Sequence, residues 1–403
     1  MLSIQSQLTL DTMNSRQLCR LFPRYGKKLP FIKMNGNYDH RQKIMLESMS
    51  SLRIFLAFRL IGMMNRPEHH IMQIVLHRHY ALFNFSNLSI RSELQGNRSN
   101  HPNYAIGYHS WKPIMVSCSN EGAKLWKLNC NGTNASNSAT LTGHTSGVLS
   151  VTFHDWYSNI MATSSFDGIV KVWKLNENDT NAGCILTIAT NNFTIWSIKF
   201  HHSLPILMAS SRSGILTIYH FTEKFTKVVN TITLKIHLNE INSIAFHPLY
   251  SSWLVTGSDS SNACVWCLNP TYEEMIRTAT LSHDGSVLSV ATHPSAPYVA
   301  TGSEDCTARI WKLEENGTNP ECIAILPHNG GVRSVAFNPY LPTFIATGCY
   351  CKTTNVWKMT ESKKVEHVKT STGHNYSVLC VAWNPCFSIL TSSSNDMRIL
   401  NLK

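Results

Sequence analysis

The chain has 403 residues, 43% apolar and 15% charged, an apolar load that excludes a chain disordered throughout. Its formal charge of +11 hints at nucleic acid or an anionic membrane. The excess is local, however: residues 1–95 hold 13 Lys and Arg against 5 Asp and Glu, leaving +8, while residues 96–403 hold 22 against 19, leaving +3.

In chain order, the opening MLSIQSQLTLDTM lacks the basic start and apolar core of a secretory signal. Arg16, Arg20, Arg24, Lys27 and Lys28 resemble an organellar presequence, which Asp11 opposes. Residues 41–64 place Ile44, Met45, Met49, Leu52, Phe55, Leu56, Leu60, Met63 and Met64 on a helix-compatible stripe that Pro67 ends. A second helix is expected over 71–83. Arg53 and Arg59 interrupt the longest apolar run, so no span of about 20 apolar residues exists. His69, His70, His77 and His79, with no Cys among them, read as surface or core-edge residues rather than a metal site. Residues 1–87 are thus a basic, partly helical extension, either docking on the rest of the chain or meeting an acidic partner or membrane surface.

From residue 88 onward the chain repeats itself. AKLWKL, VKVWKL, ACVWCL, ARIWKL and TNVWKM end at 128, 175, 268, 313 and 359, with LTIYHF and MRILNL as degenerate copies. Their markers fall at 126, 173, 219, 266, 311, 357 and 400, spaced by 47, 46, 47, 45, 46 and 43 residues. Seven units of nearly constant length are an architectural signal. Each unit starts at a His, replaced by Asn97 and Asn191 in two units, runs through an alternating stretch such as VLSVTF, turns at a loop often carrying Pro, and continues through MATSS or VTGS to the Trp strand. This reads as short antiparallel strands, four per unit once the segment before the next His is added. The unit cores are 97–128, 144–175, 191–221, 237–268, 283–313, 328–359 and 374–402.

The pattern resembles the WD-repeat family of β-propellers, with Gly143-His144 and Gly373-His374 in the Gly-His place. The Trp-Asp ending is altered, since Lys127, Lys174, Lys312, Lys358 or Cys267 follows the Trp. The resemblance covers 88–403 and implies an all-β, seven-bladed propeller. Propellers of this family close by lending an N-terminal strand to the last blade, and residues 88–94 are expected in that role.

Nineteen His residues invite a hydrolase reading, but a catalytic set would occur once rather than in several units. His144, Thr163, Asp167 and Trp173 recur as His283, Thr301, Asp305 and Trp311. The resemblance implies that each foursome is a structural hydrogen-bonded network. No P-loop, HExxH or dinucleotide fingerprint is present, so no catalytic residue, metal or cofactor is expected. Twelve Cys without a secretory signal read as reduced thiols. Cys264 and Cys267 fall on opposite faces of a predicted strand, which argues against a zinc site.

The resemblance places the residue before each Asp on one face of the ring, near its central opening: Ser119, Phe166, Arg212, Asp259, Glu304, Tyr350 and Asn395. Trp196 and Arg333 occupy a second equivalent place, where other blades carry Leu149, Asn242, Leu288 and Leu379. Phe166, Arg212, Tyr350, Trp196, Arg333, Asp259 and Glu304 are therefore the expected partner-binding residues, rich in aromatic and Arg types. The favoured function is a non-enzymatic, intracellular (cytoplasmic or nuclear) scaffold binding other proteins. The alternatives are a nucleic-acid-associated protein using the basic extension, and a ubiquitin-ligase substrate adaptor; the latter is weakened because no blade ends in Trp-Asp-x-Arg.

Overall fold

The structure, a computed structural model, describes residues 88–93 and 101–402 apart from 130, 131, 133, 191–193, 361, 363 and 386–388. The two expected helices, the His69–His79 cluster and Asn191 lie outside these residues. Seven four-stranded antiparallel sheets form a propeller. Blades one to six each use four consecutive strands, inner to outer. Their inner strands are Asn103–Tyr108, Val148–Phe153, Ile195–Phe200, Ile241–Phe246, Val287–Thr292 and Val332–Phe337. Blade seven holds Cys380–Trp383, Ile389–Ser393 and Met397–Leu402, with Leu88–Glu93 antiparallel to the last of these. The Asn103 amide donates to the Ser394 carbonyl at 2.8 Å and the Ser393 hydroxyl to the Asn103 carbonyl at 3.0 Å, joining the seventh blade to the first. Among the described residues no helix is long and apolar enough to cross a membrane.

The strand sequences follow from what covers each face. Second strands such as Ile160–Ser165 and Ile206–Ser211 are buried along their whole length, because a neighbouring blade lies on either side. They therefore read as unbroken runs of small and apolar residues. Outer strands such as Val365–Ser371 (VEHVKTS) are mostly exposed and carry charged and polar residues instead. The core is spread between blades: Val116 and Leu125 of blade one pack with Val148, Val151 and Met161 of blade two. Each such side chain, fully buried, contributes about 1.5–3 kcal/mol. Spacing between blades is tight. A Cβ on Gly302 would lie 2.8 Å from Val332 Cγ1 and 2.9 Å from Val335 Cγ1, so only Gly lets these sheets approach so closely.

Two sets of polar contacts stitch one blade to the next, and neither was anticipated from the repeat. The first is a ring of inner-strand serines. Ser150, Ser197, Ser243, Ser289 and Ser334 each accept a backbone N–H from the following blade, at 3.0–3.4 Å. Cys380 takes the Ile106 amide in the same way across the last seam. The second set is a ring of histidines at the exits of the inner strands. The His154 and His247 Nδ1 atoms accept the amides two and three residues on, at 3.1–3.3 Å, and their Nε2–H groups donate to Leu204 and Ala296 carbonyls of the next blade, both at 2.9 Å. His109 does the same toward Ser158. Blade six has Asn338 in this place, whose Oδ1 accepts the Tyr340 and Leu341 amides.

Candidate partner-binding face

The turns between second and third strands lie at one end of the blades, and each is built the same way. In blade two, Ser165 accepts the Asp167 amide at 3.1 Å, leaving Phe166 at the tip. Asp167 in turn accepts the Ile169 and Thr145 amides, both at 2.9 Å, which ties the turn to the His144 loop. Equivalent turns put Arg212, Asp259, Glu304 and Tyr350 at the tips of blades three to six. Blade one differs from expectation. Its tip is Asn120, while Ser119 is buried and accepts the Glu121 amide at 3.2 Å. The turn there is one residue shorter between the acid and the Trp, which shifts the alignment by one.

The network residues lie where their spacing brings them together. In blade two the Trp173 indole N–H donates to Thr163 at 2.8 Å, the Thr163 hydroxyl meets His144 Nε2 at 2.8 Å, and His144 Nδ1 meets Asp167 at 3.0 Å. In blade five Trp311, Thr301, His283 and Asp305 make the same chain at 2.9, 2.6 and 2.8 Å. A neutral imidazole with its proton on Nδ1 satisfies every member. Burial lowers both His pKa values against the opposing pull of the carboxylates, and Asp305 is held at about 2: burial works against its ionisation, and hydrogen bonds from Thr307 and His283 outweigh it. Four further blades keep parts of the chain; in blade one the Trp126 indole donates to Ser117 at 2.9 Å. His237 and His328 reach Thr256 and Thr347, each at 2.7 Å, and His374 bridges Ser392 and Asp396 at 2.8 and 2.6 Å.

The second set of face residues owes its position to a backbone device. In each of blades one to six the inner strand slips register by one residue at its start. The residues left unpaired are Tyr104, Leu149, Trp196, Asn242, Leu288 and Arg333. A β-bulge frees such a residue from the ladder and re-aims its side chain. Tyr104 is a member that the repeat alignment missed; the register of NYAIGY against VLSVTF is the signal that locates it.

Together the turns and bulges build two side-chain groups. In blades one to three the Tyr104 hydroxyl donates to Asn120 at 3.0 Å, and its ring meets Phe166 edge-on, centroids 5.8 Å apart. Phe166 meets Trp196 in the same manner at 5.6 Å. The Trp196 indole and Arg212 both donate to Glu240, at 3.0 and 2.6 Å. Glu240 was also not foreseen. In blades four to six Asn242 donates to Asp259 at 2.7 Å, and Arg333 donates to the Leu288 carbonyl at 3.3 Å. Tyr350 is 39% exposed. Burial of its hydroxyl raises its pKa; Arg333 opposes this, and Glu304 and Asp259 reinforce it, so all four belong to one electrostatic neighbourhood. Phe166 is 37% exposed and the Arg212 side chain 68%.

Cys349 and Cys351 flank Tyr350 with their Cα atoms 5.2 Å apart and their sulfurs side by side, a juxtaposition that the reading of all cysteines as independent reduced thiols did not include. The cause is local: the turn brings the side chains at these two positions together, and here both are Cys. Cys264 is buried and Cys267 half-buried, three apart on one strand. Among the described residues no three His, Cys, Asp or Glu side chains converge as metal ligands.

The family described as WD domain, G-beta repeat matches residues 135–174, 228–267, 275–312, 320–358 and 365–400. No curated protein matches the chain. The two unmatched units carry Trp126 and Tyr219 at the marker position, and both are nevertheless buried in four-stranded blades like the rest. With its repeat matched in five units and the same blade built seven times, the chain belongs to the WD-repeat family of β-propellers.

Proposed function

We propose that the chain is a non-enzymatic scaffold that binds a protein partner on the face bearing Phe166, Arg212, Tyr350, Trp196, Arg333, Asp259 and Glu304. WD-repeat propellers generally serve as protein-interaction scaffolds. The observation that carries the reading is the set of bulges. At six inner strands a ladder position is given up, and in three of them the freed residue is Tyr104, Trp196 or Arg333. Aromatic and Arg side chains with partial exposure are the types that dominate binding energy. Polar neighbours around them supply the rim that such interfaces use. Affinity capture with the wild type and with a Phe166→Ala, Arg212→Ala, Tyr350→Ala variant tests it. Partners held by the wild type should be lost by the variant at unchanged melting temperature. Recovery of the same partners by both forms would refute the face.

The segment Leu88–Glu93 closes the ring as the outer strand of the last blade; in support, it pairs with Met397–Leu402 from Leu88↔Leu402 to Glu93↔Arg398. The +8 carried by residues 1–95 favours, as a second reading, contact with polynucleotide. Binding that weakens steeply with salt and disappears on deleting residues 1–85 would distinguish it.

A further inference from the structure

Blade six departs from its sisters at a single turn. Elsewhere the second strand ends in a Ser whose oxygen accepts the amide two residues on: Asp167 to Ser165 and Asp305 to Ser303 at 3.1 Å, Ser260 to Ser258 at 3.3 Å. In blade six Cys349 stands in the Ser place and accepts the Cys351 amide at 3.0 Å. Cys351 stands where blades two and five have their Asp. With no acid there, His328 Nδ1–H donates instead to its neighbour, the Leu326 carbonyl, at 2.9 Å.

Sister blades show what this turn does to a pair of short side chains. Ser211 and Ser213 hydroxyls touch at 2.8 Å, and Ser258 and Ser260 at 3.0 Å. The turn therefore brings two short side chains at these positions into contact. In blade six the Cα atoms of Cys349 and Cys351 are 5.2 Å apart, inside the range of about 4.4–6.8 Å that disulfides use. The seven other described cysteines are unbonded.

We propose that Cys349 and Cys351 form a reversible thiol–disulfide modification site on the turn that carries Tyr350. Cys351 is half-buried and Cys349 fully buried, which sets the order of events. The Cys351 thiolate attacks a low-molecular-weight disulfide such as oxidised glutathione, breaking its S–S bond and releasing one thiol. The Cys349 thiolate then attacks the Cys351 sulfur and displaces the second thiol. One reagent disulfide is consumed, one protein disulfide forms, and the two cysteine protons leave on the two released thiols. The closed bond ties both ends of the Tyr350 turn; an excess of small thiol reopens it. This site does not depend on the binding reading, because its test reads sulfur chemistry alone.

The test equilibrates the full-length protein in glutathione buffers from reducing to oxidising, followed by acid quench, denaturation and alkylation with iodoacetamide. Trypsin then releases peptide 334–352, which contains Cys349 and Cys351 and no other Cys. In oxidising buffer this peptide should be unalkylated and two hydrogens lighter, and it should become doubly alkylated after dithiothreitol. Cys349→Ser, which restores the residue type of the sister blades, should stop at a glutathione adduct on Cys351. Double alkylation at every ratio, a glutathione adduct as the wild-type end product, or an unmodified Cys349→Ser variant would each overturn the proposal.

Discussion

The inter-blade histidines make a sharp test, because blade six supplies its own control. His247 is fully buried, accepts the Leu249 and Tyr250 amides at 3.2 and 3.3 Å, and donates to the Ala296 carbonyl of the next blade at 2.9 Å. Its ring packs on Tyr250 and Trp253, centroids 4.9 and 5.2 Å away. His247→Ala removes all of this. Truncating a buried side chain of that size costs about 2–3 kcal/mol, and the lost hydrogen bonds add about 1–2 kcal/mol, together about 3–5 kcal/mol. His247→Asn copies Asn338, which accepts both turn amides and, among the described residues, makes no hydrogen bond to the next blade. It loses one hydrogen bond and some packing, about 1–2 kcal/mol. At about 2 °C per kcal/mol for a chain of this size, thermal melts should fall by about 6–10 °C for Ala and 2–4 °C for Asn. Equal losses, or no loss in either variant, would refute the role assigned to the ring.

Three further outcomes are expected. Burial holds His201, His237 and His247 at about 4, below the unfolded value of about 6.5. The unfolded chain therefore binds more protons between those limits, so stability is complete above about pH 6.5 and falls, on the order of 2–3 kcal/mol per ring, as pH drops toward 4. Chemical melts across that window should show the slope, made shallower by His247→Asn; stability independent of pH from 7 to 5 would contradict it. His144→Ala and His283→Ala should lower the melting temperature more than His328→Ala, because Asp167 and Asp305 lose an imidazole partner and blade six has no acid to orphan; equal losses would refute the ranking. Deleting residues 1–100 should leave an insoluble chain with the Met397–Leu402 edge exposed, whereas a soluble fragment with a cooperative melt would show that Leu88–Glu93 is dispensable.

Much of the propeller was legible because its in-blade contacts fall at fixed sequence offsets. The offset of ten residues from Thr163 to Trp173 recurs from Thr301 to Trp311, since both partners belong to one unit whose length hardly varies. The turn tips were legible for the same reason, except in blade one, where a shorter turn moved the tip from Ser119 to Asn120. Tyr104 and Glu240 escaped notice for different reasons. Tyr104 precedes the first clear repeat copy, and Glu240 lies in a loop with no repeated partner, reached only when Trp196 and Arg212 converge on it.

The amino-acid sequence by itself determined the number of blades, their length, the hydrogen-bonded chain within a blade and the positions of most turn tips. Those features depend on side chains whose spacing repeats. Tertiary structure alone decided the serine and histidine stitches, the bulges that aim Tyr104, Trp196 and Arg333, and the meeting of Cys349 with Cys351. The stitches end on backbone N–H and C=O groups about one repeat away, and every residue carries those groups, so no residue type marks the acceptor. The bulges are changes of strand register, which side-chain identity alone does not record. The Cys pair required a turn that brings alternate residues together, where a regular strand would hold them apart.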